Sequence, residues 1–277
     1  MATSPIDITS LVTESGLTPE AQTKLSPLLD AAINSSGGNG TGSAEVEAAA
    51  NGIDEACPRN EDAESFLWSL WNLLIDVSER IPLDDERVNS LVGIVASLKA
   101  KQGGTVEIWG SSHGLWSDLP LLGPVMREAW NGSPEFNGSP DEASQIAQWL
   151  SLNSFAARLL GASVQSWTNF ALWELRDGLE EPLSSDQARD THLATASEWL
   201  IQAGKVLYDE VRKNAQLDED NVRALGPGSL FEGGSSGFNA QRWTFWKKRL
   251  QELSADASAE AKKRTEKALE VMNSLEA

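Results

Sequence analysis

The sequence predicts an all-α fold, a single irregular multi-helix bundle. Apolar residues recur three, four and seven positions apart along most of the chain, as one face of an α-helix requires. Helix-start signals precede these stripes, and the Ser139-Pro140-Asp141-Glu142 run is typical of a capping box with proline at the first helical position. A pattern compatible with a strand is confined to Thr105–Trp109. We therefore expect helices joined by two long Gly/Pro-rich loops, with a flexible N-terminal segment.

Composition divides the chain into two expected regions. Residues 1–59 are predicted to form a peripheral N-terminal helix followed by a linker. The helix begins at Thr18-Pro19-Glu20, and Pro27 favours a break or a short first turn. Residues 34–43 are rich in Asn, Ser and Gly, which is typical of a flexible linker. Residues 44–50 are expected to form a short helix that ends at Asn51-Gly52. Residues 60–277 are predicted to form the helical domain.

Apolar stripes predict the order of helices in this domain. They cover about residues 61–80, 88–98, 121–130, 141–160, 164–178, 187–211, 243–253 and 257–275. Glycine and proline punctuate two segments, residues 103–140, within which the short helix at 121–130 lies, and residues 215–238. The first of these loops carries Trp109, His113 and Trp116, and loops of this length are often functional.

Charge limits the partners that we expect. The chain has 22 Lys and Arg against 41 Asp and Glu, a formal net charge of −19. Such a field repels phosphate groups, so neither nucleic acid nor an anionic membrane is expected as a partner. Residues 239–277 differ, with 8 basic and 6 acidic residues, which favours a C-terminal segment attracted to an acidic body.

Apolar runs, the N-terminal sequence and the cysteine count indicate where in the cell the protein is expected. No apolar run approaches the roughly 18 residues of a membrane span, and the N-terminus lacks the pattern of a secretory signal. The single cysteine, Cys57, excludes an intrachain disulfide framework and a cysteine-based zinc site. We expect a soluble, cytoplasmic protein.

The sequence contains only weak signals for catalytic or metal-binding motifs. His113 lies between two tryptophans, where it can serve as a general base or a hydrogen-bond donor, or simply bond to the backbone. His192 lies beside an apolar stripe and is interpreted as structural or exposed. Cys57 has no histidine nearby to activate it. No metal site, cofactor site or catalytic residue is predicted. These signals together favour a protein that is not an enzyme.

Tryptophan is the unusual feature of the composition, with 11 residues against one tyrosine. Those at helical spacing are expected in the core, whereas Trp109 and Trp116 either line a pocket or plug one end of the bundle. Arginines on apolar helices form a structural ion pair or anchor a carboxylate or phosphate. The candidate pocket residues are Trp109, His113, Trp116, Arg158, Arg242 and Trp243.

Several short runs carry a family resemblance. They are Glu64–Trp71, Ile81–Asp84, Ile108–Gly110, Leu115–Pro120, Leu152–Arg158, Glu198–Ile201 and Gln241–Lys247. In this order and spacing they resemble a family of fungal proteins known only as a domain of unknown function, over about residues 60–252. The resemblance implies an intracellular, all-helical fungal protein without an assigned reaction, and it carries over no catalytic residue.

Two functions follow as hypotheses. The preferred one is a non-catalytic intracellular helical protein that acts by binding another protein or by self-association. The alternative is a protein that binds a small apolar ligand, or a cofactor-free enzyme of fungal specialised metabolism, with the candidate residues lining its pocket. The oligomeric state is left open.

Overall fold

A computed structural model describes residues 4–35 and 41–277. Half of the predicted linker, residues 36–40, lies outside the described residues. Within them the prediction of an all-α, multi-helix fold is confirmed. The helices are α1 (Ile8–Glu14), α2 (Pro19–Asn34), α3 (Ala44–Ala56), α4 (Ala63–Arg80), α5 (Arg87–Lys99), α6 (Leu122–Ala129), α7 (Glu142–Gly161), α8 (Thr168–Leu179), α9 (Asp186–Lys213), α10 (Glu219–Ala224), α11 (Ala240–Ser254) and α12 (Ala259–Glu276).

A small antiparallel sheet interrupts the helices. Its strands are β1 (Thr105–Ile108) and β2 (Ser111–Gly114), and a short 3-10 helix, Trp130–Gly132, follows α6. The chain divides into two compact units. Unit 1 comprises residues 1–133 and 147–155, and unit 2 comprises residues 134–146 and 156–277, so that α7 contributes residues to both. The division predicted at residue 60 stays a prediction.

Unit 1 is built on α4 and α5. Helices α2 and α3 pack against α5, while α1, α6 and strand β1 pack against α4. The apolar stripes of α2 and α3 are buried, among them Leu25, Leu29 and Ile53. Helix α2 runs without a break through Pro27, which corrects the expectation of a break there. Burial of Leu25 and Leu29 on either side of the proline offsets its local cost.

Unit 2 is built on α9, which packs against α8, α11 and α12. The predicted stripe of α9, including Leu193, Leu200 and Leu207, is buried. Where α7 ends beside α9, a Cβ on Gly161 would lie 2.0 Å from the carbonyl oxygen of Gln202, so only glycine allows this approach. Ion pairs from α7 and α12 meet on α9 at Glu198, which accepts from Arg264 at 2.5 Å and lies 3.8 Å from Arg158.

Helix α8 begins later than the sequence predicts. Its stripe suggests a start near Val164, whereas the helix begins at Thr168 with Trp167 as its N-cap residue. The preceding residues close the end of α7 instead. Val164 donates its backbone N–H to the carbonyl of Leu159, and Ser163 adopts a left-handed backbone with φ 58°. Such a closure satisfies carbonyls that a helix end leaves unpaired.

Candidate functional site

The most unusual surface feature of unit 1 is the tip of the β1–β2 hairpin. Ile108 pairs with Ser111, so Trp109 and Gly110 form a two-residue turn. Both turn residues have positive φ, 50° for Trp109 and 76° for Gly110, as in a type I′ turn. This conformation suits Asn-Gly pairs, and a bulky residue at the first position costs of order 1 kcal/mol. Trp109 is nevertheless 66% exposed.

The base of the hairpin is held by the core. Val106 and Ile108 point into unit 1 and are buried, whereas Thr105 and Glu107 alternate to the exposed face. Leu115 extends the pairing by donating its backbone N–H to the carbonyl of Gly104 at 2.9 Å. The hairpin therefore has one face fixed on the protein, and this fixes its register as well.

Trp116 anchors the chain just after the hairpin. Its ring is fully buried, 6.4 Å from the ring of Trp71 in an edge-to-face arrangement. Its indole N–H donates to Asp54 at 2.6 Å. Gly103 allows this packing because a Cβ there would lie 2.3 Å from Trp116 Cδ1. Trp116 was predicted as a pocket or plug residue, and in the structure it packs as a core residue.

Asp118 closes the open edge of β2. Its Oδ2 accepts the backbone N–H of Gly114 at 2.8 Å, and its own N–H donates to the Gly114 carbonyl. The hydrogen bond from Gly114, followed by that from the Ser117 hydroxyl, lowers the pKa of Asp118 below its usual range. Asp118 thus occupies edge groups that an added strand would need, which disfavours strand addition at this end of β2.

The turn after Trp116 adds rigidity. Leu119 and Leu121 have left-handed backbones, with φ 47° and 69°, and both side chains are buried. The carbonyl of Pro120 between them accepts the indole N–H of Trp71 at 2.8 Å. Strained backbone of this kind persists only where its surroundings hold it, so the segment from the hairpin to α6 is tightly held.

The third predicted residue of this loop is His113. His113 lies on β2 opposite Val106 and is half-buried. Two grooves of unit 1 are lined by other residues. One has a volume of about 450 Å³ beside Lys24 and Glu55, and the other about 650 Å³ beside Arg80 and Arg87.

The predicted residues of unit 2 include an arginine that is completely enclosed. Arg242 Nε donates to Glu180 Oε1 at 2.6 Å, and Nη2 donates to Glu180 Oε2 at 3.0 Å. The remaining guanidinium donors go to the carbonyls of Leu225, Gly226 and Gly237. All five donors are used within the chain, which is the arrangement of a structural ion pair.

The same carboxylate gathers further donors. Glu180 accepts the indole N–H of Trp246 at 2.6 Å and the backbone N–H of Gly228 at 2.7 Å.

Trp243, one residue beyond Arg242, is also buried, and its indole N–H donates to Glu276 at 2.9 Å. Arg158 reaches Glu198. The prediction that these residues line one pocket with those of the hairpin stays a prediction.

Cys57, His192 and Glu79 are titratable groups outside the hairpin that have shifted pKa values. Burial raises the pKa of the Cys57 thiol to about 12, so it is protonated and unreactive near neutral pH. Burial also lowers the pKa of His192, whose enclosed Nδ1 has no hydrogen-bond partner among the described residues. Burial, and then the charge of Asp76, raise the pKa of Glu79 to about 7. Among the described residues no group of His, Cys, Asp and Glu is arranged to hold a metal ion.

Sequence reasoning named Trp109 as a residue that either lines a pocket or plugs one end of the bundle, and it did not place it at a hairpin tip. The signal for its position was Gly110, because glycine readily adopts the positive φ of a two-residue turn, but the tryptophan before it is not a turn residue and masked that signal. Asp118 was not named at all. Its role depends on a contact with Gly114 that no spacing rule predicts.

Fold and site together define an all-α protein that presents an exposed tryptophan at the tip of a short hairpin, the base of which is held by the core. None of the described helices is both long and apolar enough to cross a membrane. The family model described as "Protein of unknown function (DUF3632)" matches residues 71–250, and the chain belongs to this family. This confirms the predicted family of unknown function. No curated protein and no solved structure matches the chain.

Proposed function

We propose that this protein acts without catalysis, by binding another protein through Trp109 at the hairpin tip. One observation carries the proposal: Trp109 is 66% exposed in a left-handed backbone conformation that disfavours a bulky side chain. A strained residue that contributes little to the core is typical of a functional position.

The energetics of recognition agree with this role. Tryptophan is enriched among the few residues that dominate binding energy at protein interfaces. Little order would be lost on binding, because the hairpin register and the Trp116 anchor already hold the backbone in place. A tryptophan on a backbone that is already held therefore loses less conformational entropy on binding than one on a mobile loop would.

Photo-crosslinking tests the proposal. A photoreactive phenylalanine analogue is placed at Trp109 in the full chain and, as a matched control, at Trp68, which is also exposed (38%) and lies on α4. We expect position 109 to yield a discrete adduct in an extract of the source cells, and excess unlabelled protein to abolish it. No adduct at 109, or the same adducts from both positions, would overturn the proposal.

The cellular setting is part of the proposal. We place the protein in the cytoplasm of a fungal cell. The support is the single, unreactive cysteine and the family resemblance of the sequence runs. Imaging of the tagged full chain in its source cells checks the location.

A small-molecule site is a second candidate. Its support is the groove of about 650 Å³ in unit 1, a size within the range of ligand sites, whose lining includes the basic Arg80 and the acidic Asp7 and Glu14. A ligand found by thermal shift should lose its stabilising effect when Arg80→Ala is introduced. An effect that persists in that variant would place the ligand elsewhere.

A further inference from the structure

The hairpin tip lies in an acidic part of the chain. No lysine or arginine occurs between Lys101 and Arg127, a stretch that includes Glu107 and Asp118. Unit 1 as a whole has 7 basic and 19 acidic residues, a formal charge of −12. The field at the tip therefore favours a cationic group on an approaching partner and disfavours an anionic one.

One carboxylate is placed to act together with Trp109. Glu107 is exposed, on the outward face of β1, opposite the small side chain of Ser112. Its Cα is roughly 7 Å from that of Trp109 by the rise of a strand. One arginine or lysine side chain spans this distance. Its charged group can contact the Glu107 carboxylate while its guanidinium plane or aliphatic stem covers the indole ring of Trp109.

The exposed indole provides the second half of such a site. The face of a tryptophan ring attracts cations, and arginine more often than lysine makes this contact. The chain already contains such a pair inside unit 2, where the Arg242 guanidinium carbon lies 5.6 Å from the centre of the Trp246 ring. At the hairpin tip the ring is present without a basic residue nearby in sequence.

We infer that the partner presents an arginine or lysine side chain, which stacks on Trp109 and pairs with Glu107. This inference rests on the proposed function, and it adds the chemistry of the bound segment. The occupant is a basic segment of a protein, and an anionic or purely apolar segment is disfavoured.

Nuclear magnetic resonance of the ¹⁵N-labelled full chain tests the inference. The indole signal of Trp109 is assigned by its loss in Trp109→Phe. The probes are three acetylated and amidated pentapeptides, Gly-Ser-Xaa-Ser-Gly, in which the central residue is arginine, citrulline or glutamate. Citrulline has the shape of arginine without its charge. We expect the arginine peptide to shift the Trp109 signal at millimolar concentration, with an affinity roughly two- to five-fold above that of the citrulline peptide.

Charge variants complete the test. Glu107→Gln should reduce the affinity for the arginine peptide, whereas Glu128→Gln, the same charge change at an exposed site on α6, should leave it unchanged. Equal binding of arginine and citrulline, no shift with any peptide, or equal effects of the two variants would overturn the inference. A crosslinked partner at position 109 without an arginine preference would leave the proposed function standing. Arginine-specific shifts without any crosslinked protein would instead remove the proposed function.

Discussion

This chain has two glycine-rich segments of similar composition, residues 103–121 and 214–239, and their structural roles differ. In the first, a two-residue turn leaves Trp109 exposed on a hairpin whose base is buried. In the second, backbone carbonyls turn inward and accept hydrogen bonds from the buried Arg242. Of the two segments, the first is therefore the candidate binding element, because its backbone is paired with itself and its tryptophan remains in solvent.

The largest effect is expected where the second segment meets its arginine. Arg242→Ala leaves Glu180 buried without its cation and frees three carbonyls, which should cost about 3–5 kcal/mol of stability. Urea unfolding measures the loss, and hydrogen exchange should locate it in residues 214–239. Lys248→Ala, on an exposed position of the same helix, is the control and should change stability by less than about 0.5 kcal/mol. A loss below about 1 kcal/mol for Arg242→Ala would contradict the structural role of the pair.

A smaller effect is expected from Glu79, on the helix that supports the hairpin. Because its pKa is raised to about 7, its contribution to stability is fully present below its usual pKa of 4.5 and is lost as pH rises through 7. Glu79→Gln should therefore stabilise the protein at pH 8, on the order of 1 kcal/mol, and have little effect at pH 4.5. Thermal unfolding at both pH values checks this, with Glu128→Gln as control. An equal gain at both values would exclude the carboxylate as the cause.

The smallest effect on stability is expected at the hairpin tip. Trp109→Asn places a residue suited to a type I′ turn where Trp109 now adopts φ 50°, so stability should be unchanged or rise by less than about 1 kcal/mol. Any binding at the tip should be lost at the same time. Chemical denaturation measures the stability of this variant. Its binding to the partner identified by crosslinking measures the second outcome. A stability loss of more than about 1 kcal/mol would show that Trp109 supports the fold, as Trp116 does.

Helix positions were largely predictable from sequence. The stripe of α9 and the Thr18 cap of α2 are found as predicted, and Thr18 Oγ accepts the N–H of Ala21. Two short helices, α1 and α10, were missed because six or seven residues hold too few apolar positions to show a period. Helix α10 has no buried residue at all, so no stripe exists to be recognised.

The sequence by itself determined the helical class, the order of the main helices, the acidic charge and the family to which the chain belongs. These properties depend on the spacing of residues along the chain and on its composition, so they can be read without knowing how the chain folds. Only the tertiary structure decided that Trp116 lies in the core while Trp109, seven residues earlier, faces solvent. It alone also paired Arg242 with Glu180, 62 residues away. Burial and pairing depend on which distant surfaces meet, and the spacing of residues along the chain does not specify this.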